Sequence, residues 1–397
     1  MTDPKFITPE MGAELALRYA KIRGFMRDAG LDAILVASNS NIYYSAGRFF
    51  RGYVYIPLEY SPIYFLIRPT VFQKSDDIVL IRKPEQILNC LTEAGIQPPK
   101  TLGLEYDSLS YSDIERLKAC FPDCKPLNAS PVLRDARMTK TPYEISEMKK
   151  DGMHQAAVYH RINHLYRQDM TDLEFQIEIE RTLRLEGCLG FERTSGQLME
   201  INMGSVVSGD NADTPSPYDF SMGGAGVSPA LPVGADGTTM MQGTTVMVDM
   251  SGSFNGYQTD MTRVWSIGDI PELARKAHDC SIRILRELEK IALPGVEVCE
   301  LYKRAAAIAA EENLSQYFMG HRQQAGFIGH GVGIELNEAP AITSRNRTKL
   351  EENMTLAIEP KFVIPHIGAV GPENTYVVTP SGLSNLTVFP EEIQSLV

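Results

Sequence analysis

The chain has 397 residues, enough for two domains with substantial cores. Its apolar (43%) and charged (22%) content is that of an ordinary soluble globular protein, and no apolar run approaches the roughly 18 residues of a membrane span. A net charge of −12 argues against nucleic acid as a partner, because phosphate binding needs clustered Lys and Arg.

The opening MTDPKFITPEMG has no basic region followed by an apolar run, so a cytoplasmic location is the default expectation. ELALRYAKIRGFMRDAG has helical periodicity with a stop at Gly30, and LDAILVAS reads as a buried strand. SDDIVLIRK and KTLGLEY read as further strands, with EQILNCLTEAG and SDIERLKACF as helices between them. This is an α/β domain over residues 1–135. Its nine aromatics from Tyr43 to Phe65 read as core and strand residues. The six cysteines are scattered, and no His follows Cys120 and Cys124 at zinc-finger spacing, so neither a disulfide nor a zinc framework is expected.

A second domain, 136–397, begins after RDARMTKTPYEISEM. Thr141-Pro142-Tyr143-Glu144 is a capping box that starts a helix expected to reach Gln168, and Thr171 starts another that Gly187 ends. These two helices precede a β-rich region reaching 266, and two more (271–292 and 297–313) precede another at 355–379. The order implies two similar halves, their sheets packed together and their helices outside. Residues 206–232 form a long loop, in which Gly223-Gly224-Ala225-Gly226 lacks the strand-to-helix setting of a nucleotide motif.

Acidic residues on apolar strands carry the chemistry. TTVMVDMSGSFNGYQTDMTRVW reads as a hairpin turning at Asn255-Gly256, and a loop of two or four residues puts Asp249 and Asp260 on one face. TLAIEPKFV and GAVGPENTYVV read as strands paired around Pro365–Gly368, and a loop of three or five residues puts Glu359 and Glu373 on one face. Like charges on a buried face need a neutralising partner. With His330, the four carboxylates carry a charge of about −4, which two divalent cations would balance; an oxygen-rich set with one imidazole suits Mn, Fe(II), Co or Zn. Two ions about 3.5–4 Å apart can share and activate a water.

DMSGSFNGYQTDMTR, GHGVGIELNEAP, AIEP and PENTYVVT, in that order, together with GLDAILVASNSNIYYSAG near the start, resemble the pita-bread superfamily of methionine aminopeptidases, aminopeptidase P, prolidases and creatinases. The likeness covers nearly the whole chain and is greatest to the prolidase and aminopeptidase P branch. It implies an α+β chain, a pita-bread catalytic domain following an α/β creatinase-like domain. It further implies that Asp249, Asp260, His330, Glu359 and Glu373 ligate two ions, Mn favoured, with Asp260 and Glu373 bridging. Glu359 would also accept the proton of the attacking water, and a hydroxide bridging the ions would attack the carbonyl of a dipeptide-like or small amide substrate. A homodimer, in which the neighbouring subunit's N-terminal domain narrows the pocket, is also implied, as are wall residues Tyr218, Asp219 and Phe220.

Three positions depart from the peptidase pattern. Asn337 and Val233 stand where the peptidases carry histidines that grip the substrate carbonyl, and Gly371 where aminopeptidase P often has arginine. An amide can donate a hydrogen bond but cannot shuttle a proton, and valine does neither. Losing one such donor typically costs about 10²–10³ in rate. These changes keep open a metal-dependent hydrolase or lyase acting on a non-peptide small molecule, and a binding protein without catalysis.

Overall fold

The computed structural model describes residues 5–72, 75–196, 201–218 and 222–397. The chain folds as two compact units, Met1–Arg137 and Met138–Val397.

The first unit is built on a six-stranded sheet with α1 (Pro9–Asp28), β1 (Ala33–Val36), α2 (Asn39–Ala46), β2 (Arg51–Pro57), β3 (Ile63–Arg68), β4 (Ile78–Leu80), α3 (Ile87–Glu93), β5 (Thr101–Leu104), α4 (Tyr111–Cys120), β6 (Lys125–Asn128) and α5 (Ser130–Met138). The strand order is β4-β3-β2-β1-β5-β6. β1 is buried at every residue, as expected of a strand covered on both faces. Part of the aromatic run folds as helix rather than strand: Tyr43 and Tyr44 lie in α2, and the buried Tyr55 and Phe65 in β2 and β3 face the core.

The second unit repeats one plan twice. Helices α6 (Pro142–Tyr159) and α7 (Asp172–Glu186) precede β7 (Gly204–Ser208), β8 (Thr245–Gly252) and β9 (Thr259–Ser266). Helices α8 (Glu272–Ile291) and α9 (Val298–Glu311) precede β10 (Gly329–Gly331), β11 (Thr355–Ile358), β12 (Phe362–Ile364), β13 (Gly368–Val370), β14 (Asn374–Thr379), β15 (Gly382–Asn385) and β16 (Gln394–Ser395). The sheets run β16-β9-β8-β7 and β10-β11-β14-β15, with β12-β13 as a ribbon. α6 and α7 share a hydrophobic core with the first sheet, and α8 and α9 share another with the second. No helix among the described residues is long and apolar enough to cross a membrane.

Both capping boxes form, with Thr141 and Thr171 accepting from Glu144 N and Glu174 N. The first helix stops at Tyr159, short of the expected Gln168. A 3-10 turn at Ile162–His164 follows, because Ile162 is drawn into the core and Asn163 is held by Trp265 Nε1 and Ser395 O. Tertiary packing overrides the local helical pattern there.

Candidate metal centre

The hairpin β8-β9 and the strands β10, β11 and β14 bring five acidic and imidazole side chains to one place. In the hairpin, Asp249 pairs with Thr262 and Asp260 with Ser251, so the two aspartates lie on one face, diagonally. The connecting loop is six residues, 253–258, longer than the two or four expected; the even count preserves the parity. The loop is long because it is anchored elsewhere: Phe254 N donates to both Asp151 carboxylate oxygens, Asn255 Nδ2 to Glu147, and Gln258 N to Gly333 O.

The glutamate strands keep one register through both sheet and ribbon. Ile358 pairs with Asn374, Phe362 with Val370 and Ile364 with Gly368, which sets Glu359 opposite Glu373 across a three-residue turn. His330 pairs with Ala357, two residues before Glu359, and so shares its face. Thr375 Oγ1 accepts from Asp260 N and donates to Asp260 O, and Glu373 N donates to Thr262 O, sewing the two sheets together at the site. Gly331 lets His330 approach: a Cβ there would lie 2.1 Å from Ala339 O.

Asp260, His330 and Glu373 offer ligand atoms within 4.8 Å of one another, and so do Asp249, Glu359 and Glu373. The two groups differ. In the first, His330 Nδ1 lies 3.0 Å from Gly331 O and donates to it, which in a neutral ring leaves Nε2 as a lone pair. That nitrogen faces Asp260 Oδ2 at 3.8 Å and Glu359 Oε1 at 3.7 Å. Glu373 Oε1 is buried without a hydrogen-bond partner, while Thr262 Oγ1 donates to Oε2 at 2.6 Å. Electron pairs converging on one buried point fit a divalent cation. In the second group the centre is filled by Lys361 Nζ, 2.7 Å from Asp249 Oδ2, 2.9 Å from Glu359 Oε2 and 3.1 Å from Glu373 Oε2. Of the two ion positions expected, one thus fits an ion and the other already holds an ammonium.

Burial and the surrounding carboxylates push Asp260 well above the usual carboxylate range, and burial with Glu359 pushes Glu373 up to about 8. For Lys361 burial acts downward, but Asp249, Glu359 and Glu373 outweigh it and hold the ammonium well above the ordinary lysine value. Sequence reasoning missed this lysine, although its place two residues after Glu359 puts it on the same face by alternation.

A cavity of about 370 Å³ opens above these groups, lined by Asp249, Asp260, His330 and Glu359 together with Val233, Asn337 and Glu192. Val233 is an apolar wall. Asn337 is a clasp: its Oδ1 accepts from Ser195 N at 2.7 Å, its Nδ2 donates to Ser195 O at 3.0 Å, and its carbonyl accepts from Ser195 Oγ at 3.0 Å. Glu338 receives Ile334 N and Glu335 N and the buried Lys140 ammonium at 2.8 Å, which fixes the same loop. Gly371 sits at φ +119°, and a Cβ would come within 2.8 Å of Pro360 O and 3.0 Å of Lys361 Cα, so no arginine fits.

Glu192 belongs to no motif, and its irregular segment gave no signal for its place at the cavity. Its Oε2 is buried without a hydrogen-bond partner, and burial pushes the carboxyl up to about 8 against an opposing bond from Ser251. Tyr218 lines a separate cavity of about 80 Å³ with His321; Asp219 and Phe220 lie outside the described residues. Among the described residues no other histidine replaces those missing at 233 and 337: His321 bonds Asp213, the exposed His366 bonds Asp210, and the buried His278 donates to Glu391 O while accepting from Gly371 N.

Residues 146–380 match the model of metallopeptidase family M24, and residues 18–139 that of the creatinase/prolidase N-terminal domain. The chain is 27% identical to an Xaa-Pro dipeptidase of Pyrococcus horikoshii over 94% of this chain and 97% of that protein. It is 24% identical to an Xaa-Pro dipeptidase of Lactobacillus delbrueckii, covering 95% and 98%. Among solved structures it resembles the Pyrococcus horikoshii OT3 prolidase (TM-score 0.76, 24% identity, 95% and 99% covered). It also resembles an Xaa-Pro dipeptidase from Bacillus anthracis (TM-score 0.78, 22% identity, 96% and 99% covered).

Proposed function

The chain belongs to metallopeptidase family M24, a family of metal-dependent hydrolases, and from that premise we propose that it cleaves the amide bond of a dipeptide-like or small amide substrate, Xaa-Pro dipeptides first. The observation that carries this reading is the convergence of Asp260, His330, Glu359 and Glu373, the first three of them lining a cavity of about 370 Å³. Asp260, His330 and Glu373 would hold a divalent ion, manganese favoured by the oxygen-rich donor set. Such an ion supplies Lewis acidity to a substrate carbonyl and to water.

This chain's own residues do the rest. Glu359 reaches the cavity through Oε1, while Lys361 holds Oε2, so one oxygen is oriented to take a proton from water and return it to the leaving amine. Asp249 enters as the hydrogen-bonded partner of Lys361. Val233 and the Asn337–Ser195 clasp form part of the cavity wall. We further propose a homodimer, as the family resemblance implies, and a cytoplasmic location.

A second reading, a non-peptide amide, is favoured by the commitment of both ends of the Asn337 amide to Ser195 and by the unpartnered Glu192 oxygen, which suits a substrate N–H donor. Manganese-reloaded protein assayed against a panel of Xaa-Pro dipeptides and small non-peptide amides separates the two. Turnover confined to Xaa-Pro dipeptides removes the second reading; turnover of neither class sinks both.

A further inference from the structure

We propose that the Lys361 ammonium stands in place of one of the two metal ions implied by the family likeness, so that this chain holds one divalent ion beside a built-in organic cation. The inference rests on the site being a metal-dependent hydrolytic centre and concerns only how its cations are counted. Three carboxylates, Asp249, Glu359 and Glu373, surround Nζ at 2.7, 2.9 and 3.1 Å, and these are the groups whose oxygens lie within 4.8 Å of one another as one of the two possible ligand sets. An ion bound to those oxygens would need the volume Nζ fills. The lysine side chain is 0% exposed and uses its three N–H donors on three acceptors, the full capacity of an ammonium.

The backbone fixes the lysine in place. Its N–H meets Met319 Sδ and its carbonyl accepts from Met319 N at 2.8 Å. Register sets it opposite Gly371, where the two backbones run close: a Cβ at 371 would sit 2.8 Å from Pro360 O and 3.0 Å from Lys361 Cα. Charge agrees. One divalent ion with the ammonium leaves the four carboxylates at about −1 and two leave them at about +1, and the second arrangement alone forces an ion against the ammonium at close cation–cation contact.

In consequence Asp249 acts as a lysine partner, and Lys361 is a positioning residue that orients Glu359 and Glu373 toward the remaining ion. The test is ion counting on metal-stripped protein reloaded with Mn(II). The wild type should retain about one ion per chain with the spectrum of isolated Mn(II), and Lys361→Ala should retain one more, with spin coupling between neighbouring ions. Two ions or none in the wild type, or a folded Lys361→Ala that gains none, overturns the proposal. If the variant does not fold, the wild-type count decides alone. Hydrolysis, read on the same samples, is a separate outcome: one ion without cleavage of any dipeptide or amide overturns the proposed function and leaves the lysine substitution standing.

Discussion

The two halves of the site are built from the same kinds of strand yet solve like-charge crowding in different ways. Around His330, lone pairs from Asp260, Glu373 Oε1 and the imidazole converge with no protein donor between them. Around Lys361, three carboxylates share one ammonium supplied by the chain itself. Glu373 belongs to both, one oxygen on each side. A buried acidic cluster thus folds only with cations at hand, and the source of the cation decides whether folding depends on solution conditions: a lysine is always present, an ion must be captured.

The comparison breaks most sharply at His330. His330→Ala should remove the captured ion and lower kcat/KM by about 10³-fold or more, read by metal analysis and steady-state kinetics on one preparation. An enzyme that keeps its ion and its rate would show that the two halves do not differ in this way. Asp249→Asn tests the other half. It should leave the ion count unchanged and destabilise the fold by about 3 kcal/mol, because Lys361 stays buried with one charged partner fewer, read by urea denaturation. Loss of the ion in that variant would make Asp249 a ligand after all. The last test is Asp151, which holds the hairpin loop and so both halves together. Burial, against the Phe254 N–H, raises its carboxyl to about 8. The folded state keeps a proton that the unfolded chain releases near pH 4, so stability declines as pH rises from about 4 through 8, by up to a few kcal/mol. Asp151→Asn should flatten that part of the stability-versus-pH curve; an unchanged slope would assign the dependence to other groups.

Much of this architecture is legible in residue order. Strand alternation alone puts Asp249 with Asp260 and Glu359 with Glu373 on common faces, since parity survives a loop of six as well as one of two. Helix starts at Thr141 and Thr171 follow from capping chemistry that is local to four residues. The end of the first helix was not legible, because Asn163 is captured by Trp265 and Ser395, 102 and 232 residues away. Asn337 shows the same limit. As a sequence position it is a missing histidine; as a structure it is a strap on Ser195, 142 residues earlier. Glu192 reaches the cavity from a segment with no periodicity to read.

By itself the sequence determined which side chains could be neighbours: alternation and register are properties of a strand, and they carry Lys361 onto the face of Glu359 as surely as Glu373. Only the tertiary structure decided what lies at the centre of each group. The distance from Nζ to carboxylates on β8, just after β11 and just before β14 depends on how two sheets meet, and that meeting is set by packing over the whole unit, which no local pattern encodes.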